Sequence, residues 1–256
     1  MATAKSVKSK IQGLIATANA TTGNSDTDLT TAVSALVAGF GSGGNGGDNE
    51  PGLEYFCTVF NGTVENLCIP ELTEWNLFRC FDGNTSLRTI DLPDVATFGK
   101  GYVFRGCTNL TTVNLPSMTD WNSAIFENCT GLVEISFPKF RGSAGISVFS
   151  GCTTLQKAIF SNTTEINPSS YNTGFGQRVF QNCSSLTTLV LKRTTAIYPI
   201  ANINVFTGTP FAEGGTGGTV YVPQALIESY QTATNWSTLY AAGTCNFVAI
   251  EGSEYE

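Results

Sequence analysis

The chain contains no histidine. A Ser-His-Asp triad, a Cys-His nucleophile pair and any zinc site built on imidazole are therefore excluded, which removes many hydrolase and metalloenzyme classes at once. Charged residues make up only 13% of the 256 positions, well below the usual quarter. Lys and Arg number 13 against 20 Asp and Glu, giving a net charge of -7 with no basic run. Nothing is present to neutralise a phosphate backbone, so nucleic acid is not an expected partner. No stretch approaches the roughly 20 apolar residues that cross a bilayer, so no membrane insertion is expected. The segment Met1 to Ala20 lacks a compact apolar core followed by a cleavage-like site, and no standard export signal is expected. No catalytic, cofactor-binding or metal-ligating residue is predicted.

What the chain has instead is 41% hydrophobic residues, 27 glycines and many Thr, Ser and Asn, the composition of turns and polar strand faces around a sizeable core. Aligned against itself, it yields FDGNTSL (Phe81 to Leu87), FRGCTNL (Phe104 to Leu110), FENCTGL (Phe126 to Leu132), FSGCTTL (Phe149 to Leu155) and FQNCSSL (Phe180 to Leu186). The phenylalanines are spaced 23, 22, 23 and 31 residues apart, the last step carrying an insertion. That period belongs to stacked repeats. After each Leu comes a short strand, ending in a proline step in Ile90-Asp91-Leu92-Pro93, Val113-Asn114-Leu115-Pro116 and Ile135-Ser136-Phe137-Pro138; Ala158-Ile159-Phe160 and Leu189-Val190-Leu191 lack the proline. Alternation places the first and third of these residues inward and their neighbours outward. Beyond the proline, Leu72, Val95, Met118 and Phe140 share one position and Trp75, Phe98 and Trp121 another, a second apolar layer on the return path. Core packing is the simpler reading of the tryptophans, although exposed indoles can stack on sugars.

Cys107, Cys129, Cys152 and Cys183 fall at one repeat position, with Asn84 before them and Thr209 after. Their spacing predicts a buried ladder of free thiols. Disulfide, metal or redox roles are the lesser alternatives, because neither a Cys-x-x-Cys spacing nor histidine is present.

The cycle from Leu92-Pro-Asp-Val-Ala-Thr-Phe98 through Phe104-Arg-Gly-Cys-Thr-Asn-Leu-Thr-Thr-Val-Asn-Leu-Pro116 resembles the BspA-like leucine-rich repeat family over roughly residues 64 to 223. The resemblance implies a β-rich leucine-rich-repeat solenoid with short irregular or helical return segments. It also implies that Val220 to Tyr230, with Asn235-Trp236-Ser237, closes the stack as a last strand followed by a short helix. Asn84 in place of Cys, the tryptophans at 75 and 121, and the irregular stretch Ser161 to Arg178 depart from the family pattern.

Two domains joined by a linker are expected. Residues 1–40 carry two apolar stripes, Val7, Ile11, Leu14 and then Leu29, Val33, Leu36, Phe40, the signature of a small N-terminal α-helical hairpin. Too small to fold comfortably alone, it is read as an assembly or anchor module that binds a virion component or its own copies. Residues 41–52 read as a Gly-rich linker, and residues 53–256 as the solenoid with a hairpin cap at Asn61-Gly62 and a C-terminal cap.

The strand reading aligns two outward rows: Asn66, Thr89, Thr112, Glu134, Lys157, Thr188, and Cys68, Asp91, Asn114, Ser136, Ile159, Val190. This face is the candidate binding surface for a host-surface glycan or protein; a merely solvated sheet is the competing reading. Tyr171 and Phe175 in the insertion are candidate loop residues, since long loops on rigid scaffolds often carry specificity. A non-catalytic structural or binding protein is expected. Its first form is a phage virion fibre or receptor-binding component, and its alternative a bacterial surface or secreted BspA-like adhesin. A carbohydrate-active enzyme is the third reading.

Overall fold

A computed structural model describes residues 65–68, 73–75, 78–141, 145–161 and 174–256. The expected N-terminal helices with their stripe residues, the linker, the Asn61-Gly62 hairpin and Tyr171 lie outside the described residues.

Each repeat contributes one short strand to a common face: β1 (Asn66–Cys68), then, after β2 (Glu74–Trp75), β3 (Thr89–Asp91), and, after β4 (Thr97–Phe98), β5 (Thr112–Asn114), β6 (Glu134–Phe137), β7 (Lys157–Phe160), β8 (Thr188–Leu191), β9 (Gly218–Val222) and β10 (Cys245–Ala249). Every strand pairing among the described residues is parallel. The register joins equivalent repeat positions, such as Ile90 with Val113 and Ala158 with Leu189. β2 and β4 form a second, two-stranded ladder on the return path, and a bridge from Thr97 to Asp120 continues it. The chain therefore returns to the same two tracks once per repeat, the leucine-rich-repeat arrangement of parallel strands with few helices.

The turns explain the repeat motif. Two residues before each phenylalanine, Arg79, Tyr102, Ala124, Ser147 and Arg178 have φ between 52° and 61°. Two residues after it, Gly83, Gly106, Asn128, Gly151, Asn182 and Gly208 have φ between 60° and 77°. Gly and Asn tolerate this left-handed backbone best, which is why the motif reads Phe-x-Gly/Asn. The kinked turn aims its N–H groups at the next rung. Phe104 N donates to Ile125 O at 2.9 Å, Phe126 N to Val148 O at 2.9 Å and Phe149 N to Val179 O at 2.9 Å.

Inside the turns the phenylalanines make one aromatic column. Phe81, Phe104, Phe126, Phe149, Phe180 and Phe206 stack in sequence with centroids 5.5 to 5.8 Å apart and planes within 19° of parallel. The thiol ladder runs alongside it. Cys107, Cys129, Cys152 and Cys183 are free and buried, and each donates its S–H to the phenylalanine carbonyl of the preceding rung: Phe81 O at 3.2 Å, Phe104 O at 3.1 Å, Phe126 O at 3.2 Å and Phe149 O at 3.0 Å. Burial pushes the thiols of Cys129 and Cys152 well above their ordinary pKa. Where the thiol is replaced, Asn84 Oδ1 accepts from Ser86 N and Leu87 N at 2.7 and 3.0 Å, and Thr209 Oγ1 donates to Phe206 O at 2.7 Å.

One rung departs from the pattern. β1, β3 and β5 form one sheet and β6 to β10 another, so the strand ladder is open between β5 and β6. Val113 on β5 is only partly buried, whereas its counterparts Ile90, Ile135, Ala158 and Leu189 are at most 2% exposed. Asn109 and Thr154 tie their rungs back through Nδ2 to Thr85 O and Oγ1 to Thr130 O, both at 2.6 Å. Gly131 fills that position at the break and has no side chain to do so; a Cβ there would lie 2.7 Å from Leu110 O.

At the C-terminus, α1 (Ile227–Thr232) and α2 (Trp236–Ala241) seal the core. Tyr230 Oη accepts from Tyr198 N at 2.9 Å, and Trp236 Nε1 donates to Tyr198 O at 2.7 Å. The expected closure, a strand then a helix, is incomplete: after the helices β10 adds to β9 in parallel and becomes the last rung. Its Cys245-Asn-Phe-Val-Ala249 begins with the same alternation but lacks the phenylalanine-led turn that precedes β3 and each strand from β5 to β9.

Candidate functional site

The outward rows lie side by side across the strands. Asn66 is level with Thr89 and Thr112, and Cys68 with Asp91 and Asn114. Glu134, Lys157 and Thr188 align on the other sheet, as do Ser136, Ile159 and Val190. Thr112, Asn114, Glu134 and Ser136 are exposed; Thr89, Asp91, Lys157, Ile159 and Thr188 are half-buried.

The polar groups tie one rung to the next. Thr89 Oγ1 donates to Asn66 Oδ1 at 2.7 Å, Asn114 Nδ2 donates to Asp91 Oδ1 at 2.7 Å, and the Cys68 thiol approaches Asp91 Oδ2 at 3.7 Å. Lys157 Nζ pairs with Glu134 Oε2 at 3.1 Å. That hydrogen bond, more than any other influence, raises the pKa of Lys157. The two carboxylates on these rows are thus engaged by neighbours, and the remaining groups are hydroxyls and amides.

Two expectations about this surface need correction. Val190 is fully buried and does not form an open apolar end. Its row continues to Tyr221 on β9, and Tyr255 packs edge-on against Tyr221, ring centroids 4.7 Å apart. Lys157 Nζ lies 5.5 Å from the same Tyr255 ring. Tyr255 therefore meets outward residues of β9 and β7, the two strands that flank β8 and its Val190. The C-terminal segment reaches this position by Ile250 N donating to Val222 O at 3.0 Å and Glu251 Oε2 accepting from Gln224 N at 2.9 Å. Phe175, expected in the loop, is 1% exposed. It pairs with Ile200 and stacks on Phe140 and Tyr198 as part of the return-path core.

Thr219 and Tyr221 extend both rows onto β9 and were not among the expected face residues. The alternation of Val220-Tyr-Val222 would have found them, had the closing strand been treated as another rung. Tyr255 gives no such signal, because it lies outside any repeat. Among the described residues no helix is long and apolar enough to cross a membrane, and no group of three His, Cys, Asp or Glu is placed to hold a metal ion.

None of the curated proteins matches this chain in sequence. Among solved structures it is similar to the pneumococcal vaccine antigen PcpA, with 18% identity and a TM-score of 0.51 over 73% of this chain. The chain spans only 41% of the length of that antigen. A leucine-rich repeat protein of T. pallidum aligns over 73% of this chain and 88% of its own, with 18% identity and a TM-score of 0.42. The family model for the BspA type leucine rich repeat region matches in 6 copies across residues 77–206. With the parallel rungs, the Phe-x-x-Cys turns and that match over half its length, the chain belongs to the BspA-type leucine-rich repeat family.

Proposed function

We propose that this chain is a non-catalytic recognition protein, a solenoid that presents its parallel strand face to a glycan or protein at a cell surface. The observation that carries the reading is the set of largely polar outward positions, in register on β3 and β5 and again on β6 and β7, with Thr112, Asn114, Glu134 and Ser136 exposed where the two sheets meet. Extended faces of this kind are how repeat proteins engage large ligands. The likeness to a structure described as a vaccine antigen supports display at a bacterial surface. The absence of histidine from the sequence, and the use of Asp91 and Glu134 as ties between rungs, support a binding role over a hydrolytic one.

The test is adhesion of the full chain to cells and immobilised cell-surface extracts. Asn114→Lys with Ser136→Lys adds bulk and charge to the exposed face without touching the core. Adhesion should be lost with unchanged thermal unfolding; adhesion equal to that of the parent chain refutes the face. A reproducible glycan or peptide turnover that vanishes on replacing one carboxylate refutes the non-catalytic reading.

A second reading, display on a phage virion, is favoured by the sequence of residues 1–52, where two apolar stripes precede a Gly-rich stretch. Under it, the protein is present in purified particles, and Ile11→Asp with Leu36→Asp abolishes self-association or particle binding while leaving solenoid stability unchanged.

A further inference from the structure

Away from the strand face, the turns of the Phe81 and Phe104 rungs carry a cluster that the repeat does not require. Phe78 is 38% exposed and meets Tyr102 edge to face, centroids 5.7 Å apart. The Arg79 guanidinium carbon lies 5.1 Å from both ring centroids, and that of Arg105 lies 5.1 Å from the Tyr102 ring. Arg105 binds Asp82 in a fork, Nε to Oδ1 at 2.8 Å and Nη2 to Oδ2 at 2.6 Å. Arg79 Nε lies 3.7 Å from the same carboxylate, and its side chain is 49% exposed. The cluster thus holds one arginine paired in a fork and one, half-exposed, that meets the shared carboxylate at longer range and is held against two aromatic rings.

The turn itself does not need these groups. Ala124 and Ser147 fill the position of Arg79 and Tyr102 in the next rungs with the same left-handed backbone, φ 55° and 58°, and the rung-to-rung hydrogen bonds continue through them. An exposed ring beside a half-exposed guanidinium is a pairing of two recognition elements: an apolar wall for the C–H face of a pyranose, and a planar fork that matches a carboxylate better than a point charge does. A dense polyanion is disfavoured, because a cluster of two arginines, one of them paired with Asp82 in a fork, in a chain of net charge -7 cannot offset many phosphates.

We propose that Phe78, Arg79 and Tyr102, with Arg105 and Asp82 fixing their geometry, form a binding site for an acidic glycan whose sugar ring bears a carboxylate. The site goes beyond the strand-face reading, and either can fail without the other.

The test is calorimetric titration of the full chain with oligogalacturonate, its methyl-esterified form and poly-glutamate. Oligogalacturonate should bind and the ester should not. Arg79→Ala and Arg79→Gln should each weaken binding about ten- to a hundred-fold, the worth of a charge-assisted pair. Arg79→Lys should recover part of the loss, and Phe78→Ala should weaken binding several-fold. Arg178→Ala, the same turn position in a rung without the aromatic pair, should bind like the parent, and all variants should unfold at the parent temperature. No binding of oligogalacturonate, equal binding of the ester, equal or tighter binding of poly-glutamate, or an equal loss in Arg178→Ala would each overturn the proposal.

Discussion

The aromatic column makes a quantitative claim about how the rungs hold together, and Phe126 is the place to test it. Its ring is 1% exposed and lies between Phe104 at 5.6 Å and Phe149 at 5.5 Å, with planes within 9° of both. Phe126→Ala leaves a cavity between two rungs and should cost about 3–5 kcal/mol. Part of that is general burial and part is stacking; the two separate in a double-mutant cycle using leucine, which fills most of the space but carries no ring. Phe126→Leu with Phe149→Leu should show a coupling of about 0.5–1.5 kcal/mol, the worth of a stacked pair beyond its area. Phe104→Leu with Phe149→Leu, which skip a rung, should add within about 0.5 kcal/mol. Urea unfolding followed by circular dichroism and tryptophan fluorescence supplies the free energies. Because strand pairing is already open between β5 and β6, Phe126→Ala should also split the transition into two phases, as expected when a nearest-neighbour term in a repeat array is weakened. Equal coupling in adjacent and skipped pairs, or a cost for Phe126→Ala below about 1 kcal/mol, would refute the column as a structural element.

Three further outcomes follow from buried groups and close approaches. Burial raises the thiol of Cys245 to about 12 from 9.0, so its neutral form stabilises the fold fully below the unfolded pKa and that stability is lost as pH rises toward the folded value. Unfolding free energy should therefore fall from about pH 9 upward by about 1.4 kcal/mol per pH unit for this group, and Cys245→Ala should make the fall shallower by that amount, the part that remains belonging to the buried Cys129 and Cys152 thiols; a flat parent profile to pH 11, or an unchanged slope in Cys245→Ala, contradicts it. Gly131→Ala places a Cβ 2.7 Å from Leu110 O and 2.8 Å from Thr108 O, so it should cost about 1–3 kcal/mol by overpacking in thermal unfolding, and a neutral result means the rung can shift freely. Cys129→Asp buries a carboxylate where the thiol met a carbonyl and should cost several kcal/mol, whereas Cys129→Ser keeps a donor and should cost far less; equal costs would argue against the ladder geometry.

The part of the fold legible in the sequence is the part built by repetition. Register, core rows and the thiol ladder follow from Phe-x-x-Cys-x-x-Leu because each unit meets the same neighbours, so one alignment fixes many contacts. What stayed hidden arises where a rung is used once. Arg193 is 2% exposed, stacks on Tyr198 at 3.7 Å and donates to Arg141 O at 2.6 Å, a buried cation that joins the segment after β8 to the segment after β6, with no counterpart among the described residues of the other repeats. β10 lacks the turn motif because the helical cap, not another turn, delivers it to β9. Tyr255 packs against Tyr221 and Lys157 from beyond the last strand, where periodicity has ended. The candidate face was legible as two rows but not in its extent, since both its buried end and its continuation onto β9 depend on that closing segment.

The division of labour within each rung explains why such a face can be put to use. Most cohesion resides in the turns and the core: the phenylalanine column, the thiol-to-carbonyl bonds and the backbone bonds aimed by the left-handed turns all lie away from the outward strand positions, where the side-chain ties between rungs are solvent-facing and worth less. At the β5–β6 break the strands do not pair at all, yet Phe104 still stacks on Phe126, Cys129 still bonds to Phe104 O, and Gly106 N still donates to Glu127 O at 2.7 Å. A rung can thus lose its strand hydrogen bonds and remain in the stack. The outward residues at that break, Thr112, Asn114, Glu134 and Ser136, are exposed, and the ties of Asn114 and Glu134 run to Asp91 and Lys157 on their own side of it; substituting them leaves the column and the thiol ladder in place, and a surface that carries little of the cohesion is one on which binding specificity can be written.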